Sequence, residues 1–183
     1  MIGGFSYICP NCRAIVAVAF RGSKYVLETV LRPSWNESLK GRAVPIGRGL
    51  SFVPRESRKD LLLVAMMQLM AKREETGFKY AHGNQKAALC VDLSRDSYIG
   101  YILWSEDKHA IARQIYIMPT ERLKGYATLI IKHWVKHCAN PIARKFGVET
   151  PNAISRKMLV SLGYAKVRGD GLVGVKCFFV SDG

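Results

Sequence analysis

Two constellations in this chain combine residue types and spacings suited to chemistry. The first is Arg122-x-x-Gly125-x-Ala127, set between a strand-like run and a helix-like run. A strand that feeds a Gly-containing turn and then a helix leaves the first N–H groups of the helix without partners. Those donors and the helix dipole suit an anion such as a pyrophosphate. Gly125 lets a ligand approach the backbone closely, and Ala127 needs little more room. An ordinary βα turn with a steric need for glycine would use the same residues. The second constellation is Cys9-Pro10-Asn11-Cys12, the turn used by zinc ribbons, with His133 and His137 four apart and so on one helix face. Cys9, Cys12, His133 and His137 would form a Cys2His2 zinc site stapling the N-terminus to the central helix. Two free thiols in a turn and two solvated histidines are the alternative.

The elements around these residues follow from periodicity. Ile115, Tyr116 and Ile117 read as a strand that Pro119 ends. Leu129, Ile130, Ile131, Trp134, Val135 and Cys138 have helical spacing, stopped at Asn140-Pro141. Upstream, Ser57 to Thr76 reads as a helix with Ser57 and Asp60 resembling a capping box. Lys86 to Leu93, Ser97 to Ser105 and His109 to Met118 read as three consecutive antiparallel strands, with Arg95-Asp96 in the first turn. Downstream come a short strand, Gly147 to Thr150, a helix from Ala153 to Leu162 started by Asn152, and a closing hairpin. That hairpin pairs Ala165 to Arg168 with Gly174 to Val180 around Gly169-Asp170-Gly171.

The N-terminal stretches Phe5 to Ile8 and Ala14 to Phe20 suggest a hairpin with the Cys knuckle at its tip. Tyr25 to Leu31, or Ala14 to Phe20, is expected to be the first strand of the main sheet. Arg32 to Arg55 is rich in Pro, Gly and Arg and reads as a long, mostly irregular connection. Its Arg32, Lys40, Arg42, Arg48 and Arg55, interleaved with Trp35 and Phe52, could hold an anionic or nucleic-acid acceptor. A solvated surface loop fits the same residues.

Composition bounds the function classes. The 183 residues suit one α/β domain with a small appendage, and 49% hydrophobic residues supply a core. No apolar run reaches membrane-spanning length, so no membrane partner is expected. The start MIGGFSYICPNC lacks the basic and apolar regions of a signal peptide. The odd number of cysteines, five, points to a reducing cytoplasm. Lys plus Arg number 28 against 14 Asp plus Glu, a net charge of +14 that favours an anionic partner, although simple solubility would also explain it.

Arg122-x-x-Gly125-x-Ala127, in the longer frame Ile117-x-Pro119-x-x-Arg122, resembles the signature of the GNAT superfamily of CoA-dependent N-acyltransferases. Asn152 with Leu162-Gly163-Tyr164 is similar to the family's second motif, and the likeness runs in order from Ser57 to Val180. The resemblance implies an α+β (α/β) fold. Its sheet would be mixed, mostly antiparallel and splayed, and flanked by helices, with residues 1–24 as an N-terminal hairpin extension of an acyltransferase domain at 25–183. It also implies acetyl-CoA as co-substrate in the splay. The backbone N–H groups of Leu123 to Ala127, including Lys124, Gly125 and Tyr126, would take the pyrophosphate, with charge from Arg122 and Lys124. The backbone of Tyr116, Ile117 and Met118 would pair with the pantetheine, which Asn152 would also reach. The N–H near Ile117 would polarise the thioester carbonyl.

The chain departs from the family where acid and base chemistry is usual. Leu159 stands where many members have a Tyr, and Ala110-Ile111-Ala112 lacks the carboxylate often found there. Tyr116, Ser155, Tyr164, His109 and Asp92 are the candidate substitutes, with Asp92 and His109 on neighbouring strands. Two readings result. One is an N-acyltransferase acting on an amine, with nucleic acid or another anionic molecule carrying the acceptor. The other is a nucleic-acid-binding module on the same scaffold with little or no transferase activity.

Overall fold

The computed structural model describes residues 4–8, 15–21, 24–31, 37–56, 58–74 and 85–181. In chain order the elements are β1 (Gly4–Ile8), β2 (Ile15–Arg21), β3 (Lys24–Leu31), α1 (Glu37–Arg42), β4 (Val44–Gly47), β5 (Leu50–Pro54), α2 (Arg58–Glu74), β6 (Lys86–Asp92), β7 (Ser97–Glu106), β8 (Ala110–Ile117), α3 (Tyr126–Trp134), β9 (Phe146–Glu149), α4 (Ala153–Ser161), β10 (Ala165–Arg168), β11 (Gly171–Gly174) and β12 (Cys177–Val180). A 3₁₀ turn, Pro119–Glu121, precedes α3, and a π turn, Val135–Ala139, follows it.

The runs in β5, β6 and β7 are apolar on both faces because helices cover both sides of the sheet. Seven strands lie in the order β12-β9-β8-β7-β6-β5-β4. The β4 to β8 pairings are antiparallel, whereas β9 is parallel to both β8 and β12. On one face, α1 and α2 bury Leu39, Leu63 and Met67 against Val53, Leu89 and Tyr101. On the other, α3 and α4 bury Ile130, Trp134 and Leu159 against Phe52, Ile102 and Phe146. Trp134 is fully buried, with its ring 6.4 Å from Trp104 and 5.6 Å from Phe146. The mixed, mostly antiparallel sheet flanked by helices is the fold the sequence led us to expect.

Four sequence expectations need correction. First, β3 pairs with β2 in a separate three-stranded sheet, Ile15↔Leu31 to Arg21↔Lys24, and does not enter the main sheet. The edge strand there is β4. The N-terminal hairpin itself is observed as β1 paired with β2, and its Cys9 to Cys12 tip lies outside the described residues. Second, the supposedly irregular stretch holds α1 and the β4–β5 hairpin. Its Pro and Gly content obscured the strand Leu50-Ser51-Phe52-Val53, which is buried throughout. Gly47, Arg48 and Gly49, all with positive φ, turn that hairpin.

Third, β10 pairs with β11, and β12 leaves to lie parallel to β9. The chain folds back so tightly at Gly174 that a Cβ there would sit 1.8 Å from Cys177 O, and Val175 and Lys176 both donate to Tyr164 O. Fourth, the helix after the glycine turn ends in π geometry, with Asn140 N–H donating to Val135 O. At α2, Ser57 lies outside the described residues. Asp60 is fully buried, accepts from Glu56 N–H at 3.0 Å and pairs with Arg42 at 3.0 Å.

Candidate functional site

Strand β8 contains an extra residue. Leu103 faces Gln114 and Trp104 faces Ala112, so Arg113 bulges out of the ladder. Strand β9 pairs with β8 only at Ile111↔Gly147 and Ala112↔Val148, yet stays with β12 as far as Glu149. The two strands therefore part after Ala112 and Val148 and leave a wedge beside Arg113 to Ile117, roughly 13 Å of strand. Met118 N–H donates to Ile99 O at 2.9 Å. Antiparallel alternation then turns the N–H and C=O groups of Ile115 and Ile117 away from β7 and into the wedge. The backbone N–H groups of Tyr116 and Met118 face β7 instead. At the vertex, Arg113 Nη1 pairs with Glu149 Oε1 at 2.6 Å and Arg113 Nε donates to Ser105 Oγ at 3.0 Å.

The wedge opens toward the glycine turn. Leu123 (φ 61°) and Gly125 (φ 78°) both adopt left-handed backbone, and the Leu123 side chain is fully exposed. The first α-helical bond runs from Leu129 N–H to Gly125 O, which leaves the N–H groups of Tyr126, Ala127 and Thr128 without helical partners. A network braces the turn from below. Glu121, 1% exposed, takes Lys124 Nζ at 2.9 Å and Arg95 Nη2 at 3.2 Å. Arg95 also donates to Asp92 at 2.6 Å and to Tyr126 Oη at 3.1 Å. Arg122 donates to Ile117 O at 3.0 Å and pairs with Glu74, which also accepts from Tyr116 Oη. Above the turn, Arg48 Nη1 donates to Lys124 O at 2.8 Å and lies 2.8 Å from where a Cβ on Gly125 would be.

The candidate acid and base residues do not converge. Asp92 sits at the β6–β7 turn. Burial alone would raise its pKa, but hydrogen bonds from Ser94 and Arg95 and the charge of Arg95 hold it below the usual carboxylate range. His109 sits at the opposite end of β7, its Nδ1 3.1 Å from Lys145 O and its ring edge-on to Phe178, so Asp92 and His109 lie at opposite ends of that strand. The Tyr116 hydroxyl is held by Glu74, and burial pushes its pKa up. Tyr164 packs on Phe146 at the closed end of β9 and lines a cavity of about 470 Å³ with Lys132, Lys136, Arg144 and Lys176. Asn152 caps α4, accepting from Ser155 N–H at 2.9 Å, and Ser155 lies in the same first turn.

His133 and His137 do share a face, with ring centroids 4.5 Å apart, and His133 also packs on Phe52 at 4.7 Å. Burial first, then the charges of His137 and Lys136, lower the His133 pKa. Cys9 and Cys12 lie outside the described residues, and among the described residues no three His, Cys, Asp or Glu side chains gather as metal ligands. The expected zinc set thus has no support from the geometry.

Sequence reasoning left Glu149, Arg113 and Arg48 unassigned to this site, as it did the bracing residues Glu121, Arg95 and Glu74. Glu149 was hidden because periodicity cannot show where parallel strands separate. Arg113 was hidden because a bulge leaves no reliable pattern. Arg48 was read as part of an irregular loop; the Gly47-Arg48-Gly49 sequence was the available signal for a hairpin tip.

The family model described as "Acetyltransferase (GNAT) family" matches residues 59–164. Among solved structures, an integron cassette protein from the mobile metagenome of V. cholerae matches at 15% identity and TM-score 0.48, over 67% of this chain and 89% of its own. A Pyrococcus furiosus chain provisionally assigned as an acetyl transferase matches at 14% identity and TM-score 0.45, over 66% and 95%. No curated protein matches this chain.

Proposed function

Because the chain belongs to the GNAT acetyltransferase family, whose members are acyl-CoA-dependent N-acyltransferases, we propose that it moves an acetyl group from acetyl-CoA to a primary amine. The observation that carries this reading is the wedge between β8 and β9 leading straight to the glycine turn. The turn fits a pyrophosphate: it offers unpartnered N–H groups at a helix start, and Gly125, where a Cβ would meet Arg48 Nη1 at 2.8 Å, leaves the backbone open to close approach beside a guanidinium.

Each residue then has a role. The N–H groups of Leu123 to Thr128 hold the pyrophosphate. The Ile115 and Ile117 backbone pairs with the pantetheine amides as an added strand would, and Asn152, three residues after Glu149, reaches the same ligand. Acetyl-CoA supplies an activated thioester, whose C–S bond breaks as the C–N bond to the amine forms, so that CoA leaves as its thiolate and takes up a proton from solvent. The N–H of Ile117, turned into the wedge, polarises the carbonyl. Glu149, the carboxylate at the vertex, accepts the proton that the attacking amine must lose, and Arg113 orients it. This replaces the five candidates proposed from sequence, none of which supplies a base at the vertex.

A nucleic-acid acceptor receives less support than the sequence suggested. Arg42 is tied to Asp60 and Glu56, so part of the basic stretch is structural. The acceptor is left as a primary amine, and the family membership disfavours a binding-only module.

Calorimetric titration with acetyl-CoA tests the reading, on the wild type and on Gly125→Trp. Wild-type binding that the substitution abolishes, with the circular dichroism spectrum unchanged, is the expected result. An amine panel followed by thiol release then identifies the acceptor. A wild type that binds no acetyl-CoA would overturn the proposal.

A further inference from the structure

The cations nearest the glycine turn differ in what already engages them. Arg122 pairs with Glu74, and Lys124 pairs with buried Glu121, which also holds Arg95. The two basic residues that the motif itself supplies are therefore engaged by carboxylates. Arg48 is not. Its guanidinium donates to the neutral carbonyl of Lys124, and no carboxylate pairs with it among the described residues. A guanidinium presents five donors in a fixed fork that suits phosphate oxygens, so one bond to a carbonyl leaves most of that capacity unused.

Its position is built rather than incidental. Arg48 occupies the tip of the β4–β5 hairpin at φ 54°, flanked by Gly47 and Gly49 at φ 109° and 74°. The hairpin is anchored by buried Leu50 and Phe52, and the Leu129 side chain on α3 lies 3.9 Å from a Cβ position on Gly47. Arg48 is thereby carried to the space directly above Gly125, over a helix start whose N–H groups also favour an anion.

We propose that Arg48 is a phosphate-binding residue of the acyl-CoA site, contributed from outside the segment that matches the family, and that it clamps the pyrophosphate against the glycine turn. The inference rests on the acetyl-CoA reading above. In this structure the guanidinium caps the Lys124 carbonyl. With the ligand in place it exchanges that neutral acceptor for a charged one, the stronger type of bond. The site would thus select phosphate-bearing thioesters over acetyl-pantetheine, which has no phosphate.

The test is calorimetric, on Arg48→Gly, which suits the left-handed backbone, and on Arg48→Lys. The probes are acetyl-CoA, its 3′-dephospho form and acetyl-pantetheine. For Arg48→Gly, binding of acetyl-CoA and of the dephospho form should weaken roughly 10- to 100-fold, and that of acetyl-pantetheine should not change. Arg48→Lys should fall between, because a point charge replaces the fork. An unaltered affinity for acetyl-CoA in Arg48→Gly would overturn the proposal, as would a loss seen equally with acetyl-pantetheine. A loss confined to acetyl-CoA and absent for the dephospho form would also overturn it, assigning Arg48 to the 3′-phosphate. If the wild type binds no acetyl-CoA, the failure lies with the acyltransferase reading itself.

Discussion

Gly125 and Glu149 show how differently single residues disclose their roles. A glycine three residues after an arginine, before an apolar helix, is a local signal of a turn, and the backbone of Gly125 there is left-handed. Glu149 carries no such mark. It becomes a candidate base because it is the first residue of β9 beyond the last pair with β8 and meets Arg113 there at 2.6 Å. Replacing it by Gln keeps the shape and removes the proton acceptor. We expect Glu149→Gln to lower kcat about 10²- to 10⁴-fold with the acceptor found by the amine panel. The acetyl-CoA dissociation constant should stay within about twofold. Unchanged turnover would remove Glu149 from the mechanism and leave Arg113–Glu149 as a brace across the wedge.

At the scale of elements, the three central strands, the helix after the glycine turn and α4 were all legible. Each has a long apolar pattern or a clear terminal signal. Asn152 is one such signal: its Oδ1 satisfies Ser155 N–H at the start of α4. Asn152→Ala should cost about 1 kcal/mol of stability and lower Tm by about 2–4 °C. A thermal melt beside an acetyl-CoA titration would separate the cap from any part in binding, since a pure cap leaves the affinity alone. The elements misread were those whose partners are remote. Residues 50–54 are a strand because β6 lies beside them, through Ser51↔Val91 to Pro54↔Ala88, and β12 is parallel to β9 only because the chain doubles back at Gly174.

For the whole molecule, several of the cations behind the +14 charge are held in ion pairs. Arg42, Arg95 and Arg113 pair with Asp60, Asp92 and Glu149. The Arg95–Asp92 pair, and Lys86 with Glu106, make stability depend on acid. Asp92 and Glu106, where burial opposes ionisation but hydrogen bonds and neighbouring cations outweigh it, both titrate below the usual carboxylate range. Each stabilises the folded chain above its unfolded pKa, and that contribution is lost as pH falls through the folded value. His133, lowered mainly by burial, acts in the same direction, because protonation favours the unfolded chain once pH drops below the usual histidine range. The urea midpoint should therefore fall steadily from pH 7 to pH 4, beginning with the His133 step. An urea midpoint that rose or held constant between pH 7 and pH 5 would contradict the burial of a neutral His133.

The sequence by itself determined the family likeness, the glycine turn before the helix, the three central antiparallel strands and the two helices that follow. Each depends on residues within about a dozen positions of one another, where spacing maps directly onto a helix face or a strand edge. Tertiary structure alone decided where β8 and β9 separate, which carboxylate stands at that vertex, which cations near the turn are already paired, and that Arg48 reaches Gly125 from 77 residues away. Those facts depend on pairing register and on charges brought together from distant segments, and neither leaves a periodic trace in a linear chain.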